Sequence, residues 1–68
     1  MNSKLIKALK ARYKAQAAEA QATIDVYLNN AAGIGEHPQI VDEMAKQLEI
    51  LSNADDNLMT LERYYEES

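Results

Sequence analysis

The chain contains no cysteine, and among its 68 residues there are only one histidine, one proline and two glycines. The lack of cysteine excludes disulfide bonds and thiolate-ligated metal sites, two features that often stabilise very small domains. A single core in a chain of this length rarely provides more than about 3–5 kcal/mol of stability. Oligomerisation is the remaining common source of stability, so we expect the chain to associate with other copies or with a partner.

Long hydrophobic runs are also missing. No apolar stretch approaches the roughly 20 residues that a transmembrane helix needs, and the basic start of the chain has no apolar segment typical of a signal peptide. These observations predict a soluble, cytoplasmic protein without a membrane-bound segment. The net charge of −4 is unevenly distributed, because residues 4–14 carry only basic charges and most acids fall within 42–67.

Two segments show apolar residues at every third or fourth position, which predicts two α-helices. The first helix is predicted over about 3–32 and the second over about 38–66, with a turn at 33–37. In this interpretation Gly33 ends the first helix and Pro38 begins the second. The whole chain, 1–68, is therefore a single all-α domain: a two-helix antiparallel hairpin.

The apolar arc of each helix is wider than the narrow seam that one neighbouring helix would cover. This width predicts that two hairpins form a homodimeric four-helix bundle, in which we expect the two turns to lie at opposite ends or otherwise far apart. Steps of eleven residues from Ile6 through Ala17 to Leu28 predict an almost straight first helix. The predicted protein-interface residues share helical spacing along the two apolar stripes: Leu9, Tyr13, Ala17, Ala20, Ile24, Leu28, Met44, Leu48, Leu51, Leu58, Leu61 and Tyr65.

Side chains suited to catalysis are scarce. His37, beside Glu36 in the predicted turn, is the only histidine, and a histidine before a proline is more often a cap or a surface residue than a catalyst. The carboxylates of the second helix lack the Glu-x-x-His partners of bundle di-metal sites. We therefore predict no catalytic residues, no metal site and no cofactor, and interpret the chain as a non-enzymatic protein that acts through protein–protein association.

One basic cluster supports an alternative function. Lys4, Lys7, Lys10 and Lys14 recur along the first helix, and in a symmetric dimer such a face could follow an RNA or DNA backbone. The negative charge of the whole chain and the lack of an aromatic side chain clearly placed among these lysines favour the simpler interpretation, a solvated face paired with acids. Nucleic-acid binding stays open as the alternative.

The turn region carries a resemblance. The stretch from Val26 to Pro38 (VYLNNAAGIGEHP), followed by Ile40-Val41 and the later Leu58-x-x-Leu61-Glu62, resembles small uncharacterised proteins of marine T4-like phages. The resemblance covers roughly residues 20–65 and implies a phage accessory protein in the host-cell cytoplasm, with no activity or site residues attached. The predicted dimeric hairpin is also similar in architecture to Rop, a plasmid protein that binds paired RNA loops, although no motif is shared.

Overall fold

The chain folds into two α-helices that pack against each other as a hairpin. The computed structural model describes residues 3–34 and 38–65, with side chains described for 3–29 and 39–65. Helix α1 spans Ser3–Ile34 and helix α2 spans Pro38–Tyr65. The Cα atoms extend over 50 × 15 × 14 Å. The prediction of an all-α fold of two packed helices is confirmed.

The helix boundaries differ from the predicted ones at the turn. Helix α1 continues through Ile34, two residues beyond its predicted end, so Gly33 lies inside the last turn of the helix and not after it. Helix α2 begins at Pro38, as predicted, because a proline has no N–H to lose at a first helical position. Residues 35–37, including Glu36 and His37, and the predicted end of α2 at residue 66 lie outside the described residues.

The helices meet along a seam with a regular seven-residue period. On each helix most of the buried and half-buried positions follow alternating steps of four and three residues, which is the spacing of a two-helix coiled coil. Leu9, Thr23 and Glu43 are also half-buried, and each lies one residue before a position of this series. We call the positions of this series the seam. They are Ile6, Lys10, Tyr13, Ala17, Ala20, Ile24 and Tyr27 on α1, and Ile40, Met44, Gln47, Leu51, Ala54, Leu58 and Leu61 on α2.

This seam corrects two residues of the sequence-based stripe. Leu28 is 61% exposed and Leu48 is 60% exposed, whereas the residues just before them, Tyr27 and Gln47, are half-buried in the seam. The period that faces the second helix is thus seven residues and not the eleven inferred from the step that ended at Leu28. A seven-residue period follows a helix that winds slightly around its neighbour, while an eleven-residue period suits an almost straight one.

Alanines occupy the middle of the seam. Ala20 is 1% exposed and Ala54 is 0% exposed, and Leu61 is the one large side chain among the described residues that is buried. Alanine is the best helix former, and its small side chain lets two helix backbones approach closely. The groove between the helices is lined by Gln16, Glu19, Ala20 and Thr23 of α1 and by Gln47, Ile50 and Asn53 of α2, so we place Ala20 at the level of Ile50 and Leu51. In an antiparallel pair this register sets Ala17 at the level of Ala54 and Tyr27 at the level of Met44.

Candidate protein-association surface

The hairpin leaves much of its apolar surface in contact with solvent. Among the described residues, three are buried, and nine large apolar side chains are at least 42% exposed. Isolated exposed apolar residues are ordinary on protein surfaces, but contiguous groups of them indicate an interaction site. The nine are Leu5, Val26, Leu28, Val41, Leu48, Ile50, Met59, Tyr64 and Tyr65.

The two sides of the hairpin can be told apart from a groove between the helices. This groove has a volume of about 470 Å³, and its lining includes Gln16 and Thr23 of α1 and Ile50 and Asn53 of α2. Thr23 comes immediately before the seam residue Ile24, and Ile50 comes immediately before the seam residue Leu51. Residues at the same place in the seven-residue period share this side of the hairpin, which we call the back face. Polar side chains dominate the groove, and the Thr23 hydroxyl donates to the Glu19 carbonyl oxygen at 2.8 Å.

The opposite side is formed by residues that come immediately after every second seam position, beginning with Ile6 on α1 and with Ile40 on α2. We call this side the front face. Every one of its eight members is exposed. They are Lys7, Lys14, Gln21 and Leu28 on α1, and Val41, Leu48, Asp55 and Glu62 on α2.

The front face has an apolar half and a charged half. Near the turn lie Leu28, Val41 and Leu48, which are 61%, 69% and 60% exposed. The register of the seam sets Leu28 between the levels of Val41 and Leu48, so the three side chains flank the same part of the hairpin. The half remote from the turn carries the charged residues, basic on α1 and acidic on α2.

The predicted interface residues fall into three groups. Ala20 and Leu61 are buried; Leu9, Tyr13, Ala17, Ile24, Met44, Leu51 and Leu58 are half-buried; Leu28, Leu48 and Tyr65 are exposed. The buried and half-buried residues contribute to the contact between α1 and α2 of one chain, and the exposed residues remain on the surface. Sequence reasoning left Val41 out of this set, although its seven-residue spacing from Leu48 places both on the front face.

The four lysines of the alternative prediction do not share one environment. Lys4, Lys7 and Lys14 are exposed, whereas Lys10 is half-buried at a seam position. Lys4 and Lys10 both take part in interactions within the hairpin. The basic face is therefore narrower than predicted and consists of Lys4, Lys7 and Lys14.

Two side-chain polar contacts on α2 join residues of that same helix. The Lys46 ammonium donates to Glu43 Oε1 at 3.4 Å, with both groups largely exposed. The Thr60 hydroxyl donates to the Asp56 carbonyl oxygen at 2.9 Å, one turn earlier. An exposed ion pair of this kind contributes about 0–1 kcal/mol, so these contacts do not determine how the helices pack.

The described ranges 3–34 and 38–65 offer neither a metal-binding group of side chains nor a membrane-spanning helix. Within those ranges, no three His, Cys, Asp or Glu side chains are grouped so that they could hold a metal ion. Neither of the two helices, as far as they are described, is both long and apolar enough to cross a membrane. His37 and Glu36, the one pair with a catalytic alternative, lie outside the described part of the chain.

Comparison with protein-family models, with curated proteins and with solved structures found no match to this chain. The resemblance to phage proteins and the architectural similarity to Rop therefore stay predictions.

Proposed function

We propose that the chain is a non-enzymatic protein that acts through protein–protein association, and that it associates with itself as a homodimeric four-helix bundle. The observation that carries this proposal is the front-face group Leu28, Val41 and Leu48, three neighbouring aliphatic side chains that are each at least 60% exposed. In a single hairpin most of the surface of these side chains is in contact with solvent, whereas a second helical layer would cover it.

The energetic reason is the small size of the core. Completely burying an aliphatic side chain contributes about 1.5–3 kcal/mol, so covering these three partly exposed residues would contribute roughly 1–2 kcal/mol each. A symmetric dimer contains this group of three residues twice, once in each chain. The sum for one chain is comparable to the few kcal/mol that a single core in a small chain provides. Association is accordingly a substantial part of the stability.

Protein association has more support than nucleic-acid binding. The exposed lysines Lys4, Lys7 and Lys14 follow one helix, but the chain as a whole carries a net charge of −4. The contact of Lys10 with the seam removes it from that surface. Affinity for a nucleic-acid backbone depends on several phosphate contacts made together, and a narrow basic strip on an acidic molecule offers few.

Thermal unfolding tests the proposal. Circular dichroism melts recorded over about a hundredfold range of chain concentration should show a melting temperature that rises with concentration, because dissociation accompanies unfolding. The same samples mixed with a short RNA duplex at low salt should melt unchanged. A melting temperature independent of concentration would reject self-association, and an RNA-dependent increase would favour the alternative function.

A further inference from the structure

We propose that two hairpins pack front face to front face with both turns at the same end of the bundle. Their two-fold axis then runs parallel to the helices. This inference rests on the proposed function, because it presupposes self-association, and it adds the surface and the orientation of the second copy. It replaces the sequence-based expectation that the turns lie at opposite ends or otherwise far apart.

Two orientations are available to hairpins that meet by one face. With the turns at the same end, α1 of each copy lies on α2 of the other copy, and residues at the same distance from the turn meet. With the turns at opposite ends, each helix lies on its own symmetry mate in reverse direction. The half near the turn then meets the half remote from it.

The apolar residues fit the first orientation. Leu28 lies between the levels of Val41 and Leu48 in the hairpin register, so Leu28 of one copy meets Val41 and Leu48 of the other. Two symmetric sets then form one continuous apolar layer. In the second orientation these side chains would face the charged half of the front face, and burying a charged group against aliphatic surface is unfavourable.

The charges fit the same orientation. The charged front-face residues of α1, Lys7 and Lys14, are basic, and those of α2, Asp55 and Glu62, are acidic. Packing α1 on α2 of the other copy brings Lys14 close to the level of Asp55 and Lys7 close to the level of Glu62, so opposite charges meet. Packing α1 on α1 in reverse direction would set Lys7 and Lys14 against the half of the other copy near its turn, where no acidic front-face residue lies. Charge complementarity of this kind selects orientation more than it adds affinity.

The size of the face also fits a stable dimer. One broad side of the hairpin projects over 50 × 15 Å, or roughly 750 Å², close to the 800 Å² or so that each partner buries in an interface of standard size. The back face offers less continuous apolar surface, because polar side chains lie among its apolar ones around the groove; these are Gln16, Glu19 and Asn53.

Spin labels can measure the orientation directly. Since the chain has no cysteine, the variants Asp42→Cys, Glu49→Cys, Asp56→Cys and Arg63→Cys each carry a single label. All four positions are exposed, are spaced seven residues apart and lie on the side of α2 away from the seam. With the turns at the same end, the distance between the two labels of a dimer should be nearly the same at all four positions.

With the turns at opposite ends, the same distances follow a different profile. The axial separation of the labels would grow to roughly 30 Å at Asp42 and Arg63 and stay near or below about 12 Å at Glu49 and Asp56, at 1.5 Å per residue. A profile with a minimum near the middle of α2 would overturn the inference and leave self-association standing. A lack of any dipolar coupling between labels would reject the proposed function itself.

A matched pair of variants tests the choice of face. Leu48→Lys places a charge on the front face, and Ile50→Lys places one on the back face; both residues are exposed in the hairpin, so both variants should remain helical. Leu48→Lys should raise the dimer dissociation constant by about tenfold or more, because the charge is desolvated there, and Ile50→Lys should change it much less. Equal effects, or a larger effect of Ile50→Lys, would overturn the inference.

Discussion

Enlarging an alanine at the centre of the seam should destabilise the hairpin. Ala20 is 1% exposed and lies in the seam between the helices, so the substitution Ala20→Leu adds an isopropyl group where little free space remains. Overpacking of this kind costs about 1–3 kcal/mol. For a domain of this length each kcal/mol lowers the melting temperature by about 4–8 °C, so the effect is easily resolved.

A matched control lies two residues further along the same helix. Ala22→Leu makes the same chemical change at an exposed position, where only the small difference in helix propensity between alanine and leucine remains. Urea denaturation followed by circular dichroism, at one fixed chain concentration, should give a lower free energy of unfolding for Ala20→Leu and a nearly unchanged one for Ala22→Leu. Equal values for the two variants would refute the assignment of Ala20 to the seam.

Four further substitutions test other parts of the hairpin by the same denaturation assay. Leu61→Ala should cost about 2–5 kcal/mol, since it empties the position of the buried leucine, whereas Asp56→Ala on the exposed side of α2 should stay within about 0.5 kcal/mol; similar values for both would contradict the helical phase. Gln47→Leu should raise the free energy of unfolding by about 0.5–2 kcal/mol, because an apolar side chain replaces a half-buried polar one in the seam, and a decrease would show that the amide has a required partner. Glu43→Gln should change stability by less than about 0.5 kcal/mol, as the Lys46 pair is solvent-exposed; a loss above 1 kcal/mol or so would mean that this pair holds more of the structure than its exposure indicates.

The helices themselves could be predicted from the sequence, because spacing of apolar residues and the Gly/Pro break carry that information locally. The residues that form the seam could be predicted less reliably where two consecutive residues are both apolar. Tyr27 and Leu28 are both apolar, and hydrophobicity alone cannot decide which of them faces the second helix. That choice depends on the seven-residue period imposed by the neighbouring helix, which is a property of the pair.

The position of Gln47 shows a signal that could have been used. The strict spacing from Leu51 through Ala54 and Leu58 to Leu61, continued backwards in steps of four and three, reaches Gln47 and then Met44. Sequence reasoning chose Leu48 because leucine is apolar, and so the pattern was broken at one position. This difference bears on function, because Leu48 was assigned from the sequence to the apolar stripe between the helices, whereas in the structure it lies on the front face, which a second copy would cover.

Sedimentation equilibrium of the unmodified chain tests the central claim, self-association, most directly. If the front face is covered by a second copy, the apparent mass at micromolar and higher concentrations should be twice the chain mass of 7.6 kDa, and it should fall towards the monomer value on dilution. An apparent mass that stays at 7.6 kDa across the whole concentration range would contradict the claim.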